Sequence, residues 1–124
     1  MSDHSHPPHA ADPSCIFCKI VAGQIPSRKV HEDDELLAFH DIAPWAPVHF
    51  LVIPKVHIAS LADISPEQHA GLLGRMLALA PRLAREQGAV NGFRTIVNTG
   101  VDGGQEVAHL HLHVIGGPRP WAKG

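Results

Sequence analysis

The sequence predicts one small α+β domain of five strands and two helices, and three observations carry that expectation. Five short apolar or β-branched runs are bounded by Gly, Pro, Asn or Asp, and one long stretch repeats apolar residues at helical spacing behind a capping sequence. The third is size, since 124 residues supply one modest core and not two.

Taken in order, residues 1–13 (MSDHSHPPHAADP) hold three His and three Pro with almost no large apolar side chain, so a flexible tail is expected there and a single domain over 14–124. His4, His6 and His9 could scavenge metal, but are read as solvated. Residues 14–22, closed by Gly23, mix apolar and polar positions at near-helical spacing and predict a first helix with Ser14 as its N-cap. Val30-His31-Glu32, a turn at Asp33-Asp34 and the run 36–41 read as a hairpin, ended by the proline-bearing loop 43–47. Residues 49–53 are almost continuously apolar, which predicts an interior strand covered on both faces, with Pro54 stopping it. Ser65-Pro66-Glu67-Gln68 is a capping box ahead of Leu72, Leu73, Met76, Leu77, Ala80 and Leu83, so the main helix runs to about Gln87. Pro81 predicts a kink near 77–80 or two helical pieces. Residues 93–98 and 107–115 complete the strands, separated by the glycine-rich loop 99–104.

Composition excludes several functions. A net charge of −2 leaves no basic excess for a long nucleic acid. No apolar run reaches the roughly 18 residues a membrane helix needs, and the N-terminus lacks a secretory leader pattern, so a cytoplasmic protein is expected. No G-x-G-x-x-G or P-loop motif occurs. Cys15 and Cys18, the two cysteines, sit too close for a bridge to restrain much chain, which leaves metal ligands, a redox pair or plain thiols.

Eleven histidines are the oddity, and His109-Leu-His-Leu-His113 is the sharpest pattern among them. On a strand, side chains alternate, so the three imidazoles share one face while Leu110, Leu112 and Val114 pack into the other. Neighbouring histidines would sit about 6.7 Å apart and the outer pair about 13 Å apart, so one ion gathers two of them at most. The remaining imidazoles are then available as nucleophile and proton donor near neutral pH, a pairing suited to phosphorus chemistry. The central His111 is the expected nucleophile. Gly103-Gly104-Gln105 just upstream offers backbone amides as a nest for phosphate, with the Gln105 amide as a donor near the leaving atom and Asn98 as a further polar contact. A solvated polar strand and a purely metal-binding strand are the bland alternatives.

With those residues the sequence resembles the histidine triad family of nucleotide hydrolases and transferases, and within it the Hint branch of purine nucleoside phosphoramidases. The likeness spans nearly the whole chain beyond the tail. It includes Cys15-Ile-Phe-Cys-Lys-Ile20, Ala38-Phe-His-Asp-Ile42, Pro47-Val-His-Phe-Leu-Val-Ile-Pro-Lys55, Asp102-Gly-Gly-Gln-Glu-Val107 and the triad with its trailing Val114-Ile-Gly-Gly117. The resemblance implies a five-stranded antiparallel sheet with two helices and a homodimer that joins two sheets. It implies attack by His111 on the α-phosphorus of a nucleoside phosphoramidate or adenylated compound, with His113 beside the scissile phosphate, His49 supporting it and His109 orienting the others. It places Asp41 at the ribose, Phe17, Phe39, His40, Ile42 and Leu51 around the base, and Asn98, Gly104, Gln105 and Glu106 around the phosphate. From sequence alone Phe17, Phe39, Ile42 and Leu51 would read as core, and Asp41 as a turn former. Some relatives carry Ser where Glu106 stands, so the resemblance implies no hydroxyl hydrogen bond at that position here. Trp121, in the variable end 118–124, is a candidate specificity element.

The same resemblance assigns a structural zinc to Cys15, Cys18, His57 and His109, which leaves His111 free. Rival functions are a dinucleoside polyphosphate hydrolase of the same fold, a nucleotide-binding sensor or scaffold, and a metal-storage module built on the tail.

Overall fold

The computed structural model describes residues 12–124, so the expected tail lies outside the described residues over 1–11. Helix α1 (Ile16–Val21) is followed by strands β1 (Lys29–Glu32), β2 (Leu36–His40) and β3 (Val48–Pro54). A 3-10 turn (Leu61–Asp63) leads into helix α2 (Pro66–Glu86), and β4 (Phe93–Ile96) and β5 (Leu112–Gly116) close the chain. The five strands form one sheet in the order β1-β2-β3-β5-β4, each neighbouring pair antiparallel, which is the expected architecture.

Every residue of β3 is buried, because it lies at the centre of the sheet with a layer on each face. Phe50 and Val52 join Leu36, Ala38, Leu112, Val114 and the apolar stripe of α2 (Leu72, Met76, Ala80, Leu83, Ala84) in the larger core. Leu51 and Ile53 face the other way, with Leu37 and Phe39, into a smaller cluster capped by Cys15, Phe17, Cys18 and Ile20 of the α1 segment. The α2 face thus carries the larger apolar core, and the opposite one is shared between a short helix and polar side chains.

Three local expectations are corrected. The N-cap of α1 is Cys15, whose sulfur accepts the Cys18 N–H at 3.2 Å, while Ser14 bonds the Asp12 carboxylate instead. Helix α2 is one element through Pro81, so the division into two helical pieces does not occur. The carbonyl that Pro81 leaves without a donor belongs to Leu77, which is 53% exposed, so water can satisfy it. Strand β5 begins at Leu112 rather than 107, because Leu110 donates to the carbonyl of Ile58 at 2.7 Å and His109 to that of Val107, and this stretch makes no ladder with β3. The alternation of 109–114 survives all the same: Leu110, Leu112 and Val114 enter the α2 core. Among the described residues no helix is long and apolar enough to cross a membrane.

Candidate active site and metal centre

Burial of those alternate apolar residues drives His109, His111 and His113 to the opposite face, where cross-strand pairing sets His113 beside Leu51 and His49 two residues further along β3. All four imidazoles are buried, with exposures of 0% for His109, 2% for His49, 6% for His111 and 7% for His113. Rings at 111 and 113 meet edge to face at 5.0 Å between centroids, closer than an ideal strand would bring them. Phe17 of α1 packs edge-on against His111 at 5.3 Å, His109 at 5.9 Å and Phe39 at 5.4 Å.

Hydrogen-bond partners fix the proton positions. His111 Nδ1 lies 2.6 Å from the carbonyl of His109, and a carbonyl only accepts, so Nδ1 carries the hydrogen and Nε2 keeps a free lone pair. Trp45 N–H donates to His49 Nδ1 at 3.0 Å, so neutral His49 carries its hydrogen on Nε2 and donates it to His113 Nδ1 at 2.9 Å. His113 is left with its own hydrogen on Nε2. A bare nitrogen on His111 and an N–H on its neighbour result. Burial, the largest cause in each case, holds the imidazoles of His49 and His111 below their ordinary range, with Asp41 opposing it at both. His113 is pushed down to about 4 by burial and by the adjacent His111 and His49, so it is neutral at pH 7.

The second cluster sits at the other end of the triad. Sγ of Cys15 and Cys18 and Nδ1 of His57 and His109 lie within 4.8 Å of one another. His109 Nδ1 is 3.2 Å from the sulfur of Cys15 and 3.6 Å from that of Cys18, and His57 Nδ1 is 3.3 Å from Cys18 Sγ. A tetrahedral zinc with ordinary bond lengths would separate sulfur from nitrogen by about 3.5 Å, so the donor set fits that ion. His109 Nε2 donates to the Pro54 carbonyl at 2.8 Å, which turns the Nδ1 lone pair towards the sulfurs, as an outer-shell partner should. Burial pushes the Cys18 thiol up to about 11 in the metal-free chain, and a bound cation would reverse that. Asp41, His49 and His113 form another group within 4.8 Å. A cation on His49 Nε2 would require the hydrogen on Nδ1, where it would oppose the Trp45 N–H, so this group is built for hydrogen bonding.

Other expected residues divide. Phe17, Phe39 and Leu51 stand on the histidine face, buried in the smaller cluster. Asp41 lies just past β2, with one carboxylate oxygen 3.6 Å from His49 Nε2 and the other accepting the Ala43 N–H. Ile42 is fully exposed. The His40 side chain pairs across the sheet with Phe50, on the α2 face, so it does not join the cluster. Gln105 and Asn98 are occupied within the loop. Both Gln105 amide hydrogens go to the carbonyls of Ala59 and Val107, its oxygen accepts the Gly100 N–H, and Asn98 donates to the Gly103 carbonyl. The N–H groups of Gly104 and Gln105 bond back to the carbonyls of Val101 and Gly100, so two of the three amides of the expected nest are taken within the turn. Glu106 is exposed, and its charge reaches His111.

Residues 14–122 match the family model described as scavenger mRNA decapping enzyme C-term binding. A solved histidine triad protein from Clostridium difficile superposes with a TM-score of 0.83 at 47% identity, covering 88% of this chain and 95% of that one. The chain belongs to the histidine triad family. Among the family's proteins it is 53% identical over 105 residues to Protein HitA of Neisseria gonorrhoeae, spanning 85% of this chain and 97% of that one. It is 48% identical over 103 residues to the purine nucleoside phosphoramidase of Escherichia coli K12, spanning 82% and 86%. Hydrolases of the histidine triad family are also among its structural neighbours.

Sequence reasoning missed Trp45. Its indole stacks on His113 at 4.9 Å and 20°, yet a lone Trp in a proline-bearing loop gives no signal of that contact. Asp12, read as tail, was missed as well. Its N–H reaches Cys18 Sγ at 3.4 Å and its carboxylate lies 4.0 Å from His57 Nε2.

Proposed function

We propose that this histidine triad protein is a nucleoside phosphoramidase that cleaves adenosine 5′-phosphoramidates and related adenylated compounds through a nucleotidyl-His111 intermediate. The observation that carries the reading is the bond from His111 Nδ1 to the His109 carbonyl, which leaves Nε2 unprotonated and aimed away from the backbone. The kinship with a purine nucleoside phosphoramidase of E. coli supports the substrate class.

In the first step His111 Nε2 attacks the α-phosphorus, the P–Nε2 bond forms, the substrate P–N bond breaks, and the departing amine takes a proton from water. The imidazole becomes cationic, and the His109 carbonyl on Nδ1–H stabilises it. The Nε2–H of His113 donates to a phosphate oxygen, where the preset tautomer avoids reorganisation. The hydroxide left by the first step completes the second: it attacks phosphorus, the P–Nε2 bond breaks, and the electron pair returns to neutral His111. One water is consumed and the monophosphate is released. In this reading Asp41 would take the ribose hydroxyls, and Phe17, Phe39, Leu51 and exposed Ile42 the base.

Zinc on Cys15, Cys18, His57 and His109 would tie α1 and the segment after β3 to the triad. With all four positions filled by protein, such a site is structural. A homodimer joined through β4 is part of the same proposal: among the described residues β4, like β1, is an edge of the sheet, and it exposes Phe93. Two free thiols fit a reducing cytoplasm.

The test is AMP release from adenosine 5′-phosphoramidate by the purified protein, beside His111→Ala, with acid quench and mass spectrometry. Release that vanishes in the variant, with an adenylyl group mapped to His111, is the expected result. Equal rates in both proteins would overturn it.

A further inference from the structure

Trp45 contacts both members of the hydrogen-bonded histidine pair and also residues 123 and 124. Its backbone N–H donates to His49 Nδ1 at 3.0 Å, and its indole lies 4.9 Å from both imidazole rings, stacked on His113 at 20° and tilted against His49 at 55°. Its carbonyl accepts the Lys123 N–H at 3.1 Å, and the Lys123 ammonium lies over the indole at 4.8 Å. Gly124 packs so closely that a side chain there would come within 3.0 Å of the ring. The last residues are held in turn by Arg94, which donates to the Gly124 carbonyl, and by Trp121 Nε1, which donates to the Gly117 carbonyl at 2.9 Å.

We propose that Trp45 is a positioning residue for the reaction, its indole fixing the ring plane of His113 from one side while the C-terminal segment 118–124 clamps the indole in place. The inference rests on the phosphoramidase reading. An imidazole on one hydrogen bond to His49 can still rotate about that bond's direction, and a stacked aromatic face removes the freedom. The N–H of His113 is useful only where it points at the phosphate, and misplacement by a fraction of a bond length costs rate more than binding. Residues 123–124 become part of the site indirectly, because the Lys123 ammonium lies over the Trp45 indole and Gly124 packs against it.

Trp45→Ala keeps the backbone N–H to His49 and removes the ring alone. Expected is a fall in kcat of roughly ten- to hundredfold, with KM and AMP affinity within about threefold. Trp45→Phe should recover most of the rate, whereas Trp45→Leu, which fills volume without stacking, should not. Removal of residues 123–124 should lower kcat too, and add little when combined with Trp45→Ala. An unchanged kcat in Trp45→Ala, a loss confined to KM, or rescue by Leu as well as Phe would overturn the proposal. Should the wild-type protein release no AMP, the phosphoramidase reading fails by itself, and a spectroscopic arm still decides the stacking. In a Trp121→Phe background Trp45 is the sole tryptophan. Its emission should change on His113→Asn, and identical spectra would refute the stack.

Discussion

His49 and His113 meet nitrogen to nitrogen, Nε2 to Nδ1, at 2.9 Å, and each is oriented by a group that leaves it one proton arrangement. The Trp45 N–H sets the first ring and the first ring sets the second. His49→Ala should therefore free the His113 tautomer, lowering kcat by about tenfold to a hundredfold while AMP affinity changes little. Steady-state kinetics with calorimetric titration of AMP checks this, and a change in KM alone would speak against it.

The cysteine–histidine cluster predicts one zinc per chain. Elemental analysis of protein purified without chelator should give that ratio, and Cys15→Ser or Cys18→Ser should abolish it. Metal removal should lower the melting temperature by well over ~5 °C, because structural zinc contributes directly to folding free energy. A metal-free protein that melts where the wild type does would refute the assignment.

Acid should weaken the metal-free fold through its buried histidines. His113 sits at about 4 in the folded chain against 6.5 when exposed. Above pH 6.5 the ring is neutral in both states and stability is complete; between 6.5 and about 4 only the unfolded chain takes the proton, so stability falls; below 4 the effect levels off. His49 shifts in the same direction, also through burial. Urea midpoints measured from pH 7.5 to 4.5 should decline, and His113→Asn should flatten the slope.

Gly103→Ala should disturb the loop that precedes the triad. A Cβ at this position would lie 2.2 Å from the Thr99 carbonyl oxygen, which is backbone and has nowhere to go. A cost of about 1–3 kcal/mol is expected, read by urea unfolding. An unchanged midpoint would show that the turn rearranges freely.

Much of this was legible because single periodicities dominate it. Leu110, Leu112 and Val114 require a buried face, and alternation along the chain then sets the three imidazoles on the other one. The capping box at Ser65 and the continuous apolar run of β3 were equally plain. What escaped was set by partners distant in sequence. The start of β5 depends on a bond from Leu110 to Ile58, the Ser14 cap lost to a sulfur in the next residue, and His40 turned to the α2 face because the register with Phe50 decides it. Trp45 carried no pattern at all. Gln105 looked like a ligand donor, yet three backbone groups claim its amide.

The two faces of β3 divide labour in a way that should govern how the protein tolerates change. Val52 and Phe50 answer to α2, while Leu51 and His49 answer to the chemistry, and adjacent residues of one strand belong to separate constraints. Drift in the α2 layer can be absorbed by repacking without moving an imidazole. Drift on the other side has no such slack, because the same few side chains fill the core, orient the protons and flank the metal ligands. Variation among functional descendants of this chain is therefore expected to run in stripes, alternating permissive and forbidden along a single strand.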